Sequence, residues 1–175
     1  TCYNIIMGLL LIMVDKFNIV EVTKIAADME ISGQKFYERA AELTKDEKAK
    51  GIFLLLAEQE KGHFKLFNKL HELMSEIHGI DDEYLYDENV SAYLKALMGN
   101  KVFKDNMLED AQNINSIEEA INIGITSEKN SILFYSELMK NSTSREVLST
   151  LEIILQEEKK HLVDLTNLLN TLKTI

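Results

Sequence analysis

The sequence predicts an all-α protein: a four-helix bundle made of two helical hairpins joined by a long crossover that carries a short helix. Three observations lead there. Apolar residues recur at three- and four-residue steps over long stretches, the stripe of amphipathic helices. Pro is absent and Gly totals only 7 among 175 residues, so few breaks are forced on a helix. The chain also repeats itself at an offset of 98 residues, which divides it into two similar halves.

A chain of this length accommodates one domain with a full core. Hydrophobic residues at 46% and charged residues at 27% mark it as globular. The 19 basic against 29 acidic side chains leave a net charge of −10, with no Lys/Arg cluster of the kind a phosphate backbone needs, so nucleic acid is excluded as a partner. Cys2 is the only cysteine, which rules out an intrachain disulfide, a Cys-x-x-Cys pair and an all-thiolate iron site and fits a reducing cytoplasm. The apolar run Ile5 to Val14 covers ten positions, half of the roughly 20 that a membrane-spanning helix requires, so no membrane span is expected. Its first basic residue, Lys16, follows the run rather than preceding it, which argues against a secretion signal. Residues 1–17 are set aside as an N-terminal extension without an assigned role, and residues 18–175 are read as the bundle.

The first helix begins at Asn18, with Glu21 completing a cap, and carries Val22, Ile25, Met29, Phe36, Tyr37, Ala40 and Leu43 on its apolar stripe. Thr44-Lys45-Asp46-Glu47 reads as a turn into the second helix, whose core face holds Ile52, Phe53, Leu56, His63, Phe64, Phe67 and Leu70 and which ends near His78-Gly79. Residues 79–115 contain an acidic stretch, Asp81 to Glu88, read as a solvated connection. They also hold a short periodic piece, Val90 to Met98, closed by Gly99-Asn100, and Phe103 as a further core candidate. That length exceeds the roughly 2–8 residues between neighbouring bundle helices, so the connection crosses the bundle and makes helices two and three parallel. Ser116-Ile117-Glu118-Glu119 reads as a capping box opening helix three, and Thr143-Ser144-Arg145-Glu146 as another opening helix four, which runs to about Leu172.

The 98-residue shift superimposes Glu30 on Glu128, Phe36 on Phe134, Tyr37 on Tyr135, Glu60 on Glu158, His63 on His161 and Leu70 on Leu168. Each half therefore reads Glu, then Tyr seven residues on, then Glu-x-x-His with its Glu 30 residues after the first. Glu30 and Glu60 are equidistant from residue 45, in the first turn, and Glu128 and Glu158 from residue 143, in the second. In an antiparallel hairpin such residues lie at one height, so all four carboxylates can meet in one layer, roughly 22 Å from the turns at 1.5 Å per residue. In Glu-x-x-His the two side chains share a helix face, so each such helix offers an oxygen and an imidazole nitrogen to the interior.

Four buried carboxylates repel one another and cannot stay ionised uncompensated. Two divalent cations cancel the four charges. Mixed carboxylate and imidazole donors suit iron or manganese, with zinc as a further substitute, and this six-residue arrangement is a known one for di-iron carboxylate bundles. The candidate metal residues are thus Glu30, Glu60, His63, Glu128, Glu158 and His161. One Glu-x-x-His alone is an ordinary surface pair; two copies at a constant offset, each with a Glu upstream, are not. Tyr37 and Tyr135, close to two turns beyond Glu30 and Glu128, are candidates for hydrogen bonds to ligand carboxylates, against the simpler reading as core aromatics. His71 and His78 lack a Glu three residues before them and are taken as surface or helix-end residues.

At these residues the sequence resembles the ferritin-like superfamily, specifically the di-iron domain of the rubrerythrins. Gln59-Glu60-Lys61-Gly62-His63 is similar to the family's Gln-Glu-Lys-x-His signature, and the resemblance runs from about Asn18 to Leu172. It implies two iron ions and an oxidoreductase, active in oxidative stress, that reduces peroxide or dioxygen. Two departures stand out. Rubrerythrins typically carry a rubredoxin-like iron site with paired cysteines, which one cysteine cannot make, so electrons are expected from a separate donor protein. They also use an extra Glu on the third helix, three residues after its ligand, where this chain has Ser131. A homodimer is expected. The other readings are a ferroxidase or iron-handling protein, which needs a hollow oligomeric shell, and a non-catalytic metal-binding protein.

Overall fold

The computed structural model describes residues 19–78 and 116–173, and among them finds four helices and no strand. They are α1 (Ile19–Leu43), α2 (Glu47–His78), α3 (Ile117–Asn141) and α4 (Arg145–Leu172). The Asn18 cap, residues 1–17, the acidic stretch, the short helix at Val90 to Met98 and Phe103 lie outside the described residues. No described helix is long and apolar enough to cross a membrane.

The starts of α2, α3 and α4 each have a side chain that accepts an otherwise unpaired backbone N–H. The Asp46 carboxylate accepts from Ala49 N at 2.8 Å and opens α2, while Thr44 N donates to the Ala40 carbonyl at 3.2 Å and closes α1. Ser116, extended at φ −151°, accepts from Glu119 N as the sequence predicts. For α4 the expected box at Thr143 is corrected by one residue. Ser144 is the N-cap, extended at φ −69°, ψ 123°, accepting from Val147 N and donating its own hydroxyl proton to Glu146.

The helices pair as two hairpins, α1 with α2 and α3 with α4, and the hairpins meet along α1 against α3 and α2 against α4. Two apolar clusters settle the directions. One joins the start of α1 (Ile19, Val22) to the later part of α2 (Phe67, Met74), the end of α3 (Leu138) and the start of α4 (Val147, Leu151). The other joins the end of α1 (Phe36, Ala40), the start of α2 (Ala49, Phe53), the start of α3 (Ala120, Ile121) and the later part of α4 (Leu165, Leu168). Helices α2 and α3 therefore run parallel, as the length of the connection predicts. Between the two clusters lies the level of the Glu and His residues.

The repeat extends into the packing. Phe36 and Tyr37 stand edge to face with ring centroids 5.2 Å apart, and Phe134 and Tyr135 do the same at 5.6 Å. Such fully buried rings are the large contributors to the core, at about 3–5 kcal/mol for a Phe→Ala change. Three expectations are adjusted. Leu43, placed on the apolar stripe, is 41% exposed at the end of α1. Ile25, Ile52 and Phe64 are half-buried at the edge of the clusters. His71 is not a free surface residue: half-buried, its Nδ1 stands 2.9 Å from the Val20 carbonyl and 3.5 Å from Thr23 Oγ1, tying α2 to the first turn of α1. The side chain of His78 lies outside the described residues.

Ser116→Ala and Ser144→Ala should each lower stability by about 1 kcal/mol, or about 2–4 °C in melting temperature for a chain of this size. Thermal melts followed by circular dichroism check this; unchanged melts would show that the caps are replaceable by water.

Candidate metal centre

Glu30 from α1, Glu60 and His63 from α2, Glu128 from α3, and Glu158 and His161 from α4 meet in one layer, all between 0 and 5% exposed. Their donor atoms form two groups, each within a 4.8 Å span: Glu30, Glu60, His63 and Glu158, and Glu60, Glu128, Glu158 and His161. Glu60 and Glu158 belong to both. The layer thus has the form of two adjoining sites that share two carboxylates, each with one further Glu and one His of its own.

Both imidazoles turn Nδ1 inward. His63 Nδ1 is 3.2 Å from Glu30, 3.0 Å from Glu158 and 3.9 Å from Glu60. His161 Nδ1 is 3.5 Å from Glu60, 3.5 Å from Glu158 and 3.6 Å from Glu128, and forms a hydrogen bond with none of them. A buried nitrogen surrounded by three carboxylate oxygens and bonded to none fits a cation better than it fits a hydrogen-bond network. Two donors each about 2.1 Å from one ion, at right angles, stand about 3.0 Å apart, close to the spacings seen here. The donor set therefore fits a pair of divalent metals, and its oxygen and imidazole chemistry fits iron or manganese.

Tyr37 and Tyr135 do reach ligand carboxylates, but across the bundle. Tyr37 donates its phenolic proton to Glu128, and Tyr135 donates to Glu30. Each half of the repeat supplies the hydrogen bond for the other half's carboxylate. Gly124 permits this: a Cβ there would stand 3.3 Å from the Tyr37 ring and 3.1 Å from Leu165. Gly33 does the same for Glu60, whose carboxyl carbon would be 3.2 Å from an added Cβ. Sequence reasoning missed one further residue. The Glu157 carboxylate lies 2.6 Å from His63 Nε2, on the outer side of the ring. The available signal was its place beside Glu158, since a ligating imidazole needs an acceptor for its other nitrogen.

Burial, followed by repulsion from Glu30, holds the Glu60 carboxyl well above the usual range, and burial with repulsion from Glu158 does so for Glu128. For His63 burial favours the neutral ring, but the adjacent carboxylates of Glu158 and Glu30 outweigh it and push the imidazole up to about 11. His161 is raised in the same way, by Glu128 and Glu158 against burial. Glu158 is the exception: its neighbours Glu128, His161 and His63 overcome burial and hold it low. Without metal the layer is thus held together by protons, on two carboxyls and two imidazoles.

The four helices and this layer define a protein of the ferritin-like, di-iron carboxylate class. The model of the family described as Rubrerythrin matches residues 21–169, and the chain belongs to the rubrerythrin family. Among solved structures, it is similar to a ferritin-like diiron-carboxylate protein from Thermotoga maritima. The TM-score is 0.67 and the identity 27%, over 87% of this chain and 94% of that one. No curated protein matches.

Metal binding must displace the protons, so affinity should rise with pH. The same shifts give the stability of the stripped protein a sign. Glu60, Glu128, His63 and His161 bind protons more tightly folded than unfolded, so the folded state holds more protons between pH 5 and 8 and stability falls as pH rises. The low value of Glu158 acts only in acid, below the ordinary Glu range. Gently purified protein should therefore carry about two metals per chain and melt above stripped protein by about 8–16 °C for each metal bound at a concentration about 1,000-fold over its Kd. That gap should be wider at pH 8 than at pH 5. Melts of both forms at both pH values, with metal analysis, check this.

Proposed function

We propose that the chain is a di-iron protein of rubrerythrin type that reduces peroxide or dioxygen with electrons from a separate donor protein. The observation that carries the reading is a narrow opening between α1 and α3. Gly33, Ser127 and Ser131 line its walls, Glu30, Glu60 and Glu128 its inner end, and its volume of about 10 Å³ is about that of one water. So small a volume beside the carboxylates favours the smallest oxidants, peroxide or dioxygen, over larger substrates. Ser131, which stands where rubrerythrins have an extra Glu, is one of the residues that line the opening.

Two iron ions held by the six residues would supply two electrons, and hydrogen peroxide takes up two electrons and two protons to give two waters. The chain's own part is positioning and proton supply. Glu60 and Glu158, common to both donor groups, would hold both ions, and Glu30 and Glu128 would each complete one position. Burial and the nearby Glu charges keep both phenols protonated, so Tyr37 holds a proton at Glu128 and Tyr135 at Glu30. Manganese suits the same donors, whereas zinc would fill the site without redox chemistry. Cys2 is the only thiol in these residues, which supports an external electron donor and a reducing, cytoplasmic setting.

The pattern on α2 supports a homodimer over a storage shell. Leu55 (52% exposed), Leu66 (42%), Leu73 (37%) and Ile77 (61%) form an outward stripe with Gly51 and Gly62, whose Cβ positions are open. Antiparallel alignment of two copies about residue 64 brings Gly51 to Ile77, Leu55 to Leu73 and Gly62 to Leu66. Gly51 and Gly62 then face Ile77 and Leu66 while Leu55 meets Leu73, a self-complementary arrangement suited to a two-fold interface. Lys50 of one copy then comes near Glu76 of the other.

Stopped-flow mixing of the reduced, iron-loaded protein should show reoxidation by peroxide at least about tenfold faster than by dioxygen, and Tyr135→Phe should keep the metal but slow the reaction severalfold. Faster reaction with dioxygen, accompanied by iron uptake, favours the ferroxidase reading; inertness to both favours a binding protein. Size-exclusion chromatography with light scattering should show a dimer, and Leu66→Glu a monomer with unchanged metal content. An assembly of about 24 subunits would favour storage instead.

A further inference from the structure

The two halves of the layer match closely. Each has a Glu-x-x-His pair, one Glu of its own and one tyrosine hydrogen bond from the opposite half. The match ends one residue before each Glu-x-x-His, where the 98-residue shift places Gln59 opposite Glu157. Glu157 accepts the Nε2 proton of His63 at 2.6 Å, which leaves Nδ1 as the nitrogen available to a metal once its own proton is displaced. In the other half Gln59 Oε1 and His161 Nε2 are both buried, and neither has a hydrogen-bond partner. An amide oxygen at that position can accept a proton but brings no charge.

We propose that Glu157 is a positioning residue that makes the two metal positions unequal: the position on His63 binds a divalent metal more tightly and fills first, and the position on His161 fills second. The inference rests on the reading of the layer as a dinuclear metal centre. A carboxylate behind a ligating imidazole fixes the tautomer and ring orientation and makes the inward nitrogen a stronger donor. His161 Nε2 has no such carboxylate: Gln59, the sequence counterpart of Glu157, is neutral and makes no hydrogen bond to it. Glu60 and Glu158 serve both positions alike, so they do not offset the difference. The Glu157 side chain is 44% exposed, so solvent screens part of its charge. Its contact with the ring is nonetheless direct, and outer hydrogen-bond partners of this kind typically change metal affinity about 10–100-fold.

The test is a calorimetric and spectroscopic titration with cobalt(II), a divalent probe that needs no turnover. Four proteins are compared: wild type, Glu157→Gln, Gln59→Glu, and the exchange variant carrying both. Wild type should take up two equivalents in two steps at least about tenfold apart. With one equivalent bound, the paramagnetically shifted imidazole resonances should be those of His63. Glu157→Gln should weaken the first step about tenfold or more and merge the two, while Gln59→Glu should strengthen the second. The exchange variant should restore two separated steps with the shifted resonances now from His161, a result that a purely structural role for Glu157 would not give. Equal steps in wild type, an unchanged titration for Glu157→Gln, or an exchange variant that still loads His63 first would each overturn the inference. Failure of wild type to bind cobalt at all would instead overturn the metal-centre reading beneath it.

Discussion

Four carboxylates in a dry layer constrain everything else in this structure. Taken out of water, each would lose much of its hydration, and together they repel. They are tolerable only with positive charge among them, whether protons on Glu60, Glu128 and the two histidines or a pair of divalent cations. The layer therefore opposes the fold until it is neutralised. That is how metal binding and folding become coupled.

The bundle is arranged to bear that cost at one level only. Above and below the layer lie two apolar clusters with paired aromatics, Phe36 with Tyr37 and Phe134 with Tyr135. Both halves of the repeat contribute equally, so the parallel relation of α2 and α3 sets the two halves antiparallel to each other. That places like residues on opposite sides of a pseudo-two-fold axis. The tyrosines exploit the symmetry by crossing it. Each hydrogen bond from Tyr37 to Glu128 or Tyr135 to Glu30 ties one hairpin to the other, so the layer joins the hairpins as well as organising the centre.

Glycines and serines matter here for the room they leave. Gly33 lets the Glu60 carboxylate lie against α1, and Gly124 lets the Tyr37 ring pass close to α3. Gly33 and Ser131 are counterparts in the repeat, and both line the narrow opening that reaches the carboxylates. Access and ligand placement thus draw on the same few positions.

The sequence by itself determined the helices, their pairing and the six clustered residues, because each rests on spacing. Turn-centred symmetry put Glu30, Glu60, Glu128 and Glu158 at one height, and the connection length made α2 and α3 parallel. Spacing along a chain says nothing about which neighbour a side chain meets across the bundle. Only the tertiary structure decided that Tyr37 serves Glu128 rather than Glu30, that His71 ties α2 to α1, and that Glu157 stands behind His63. It also moved the α4 cap from Thr143 to Ser144, since either hydroxyl can cap a helix and backbone geometry selects between them. Distances within a helix are fixed by its period; distances between helices follow from packing, which no single segment of sequence contains.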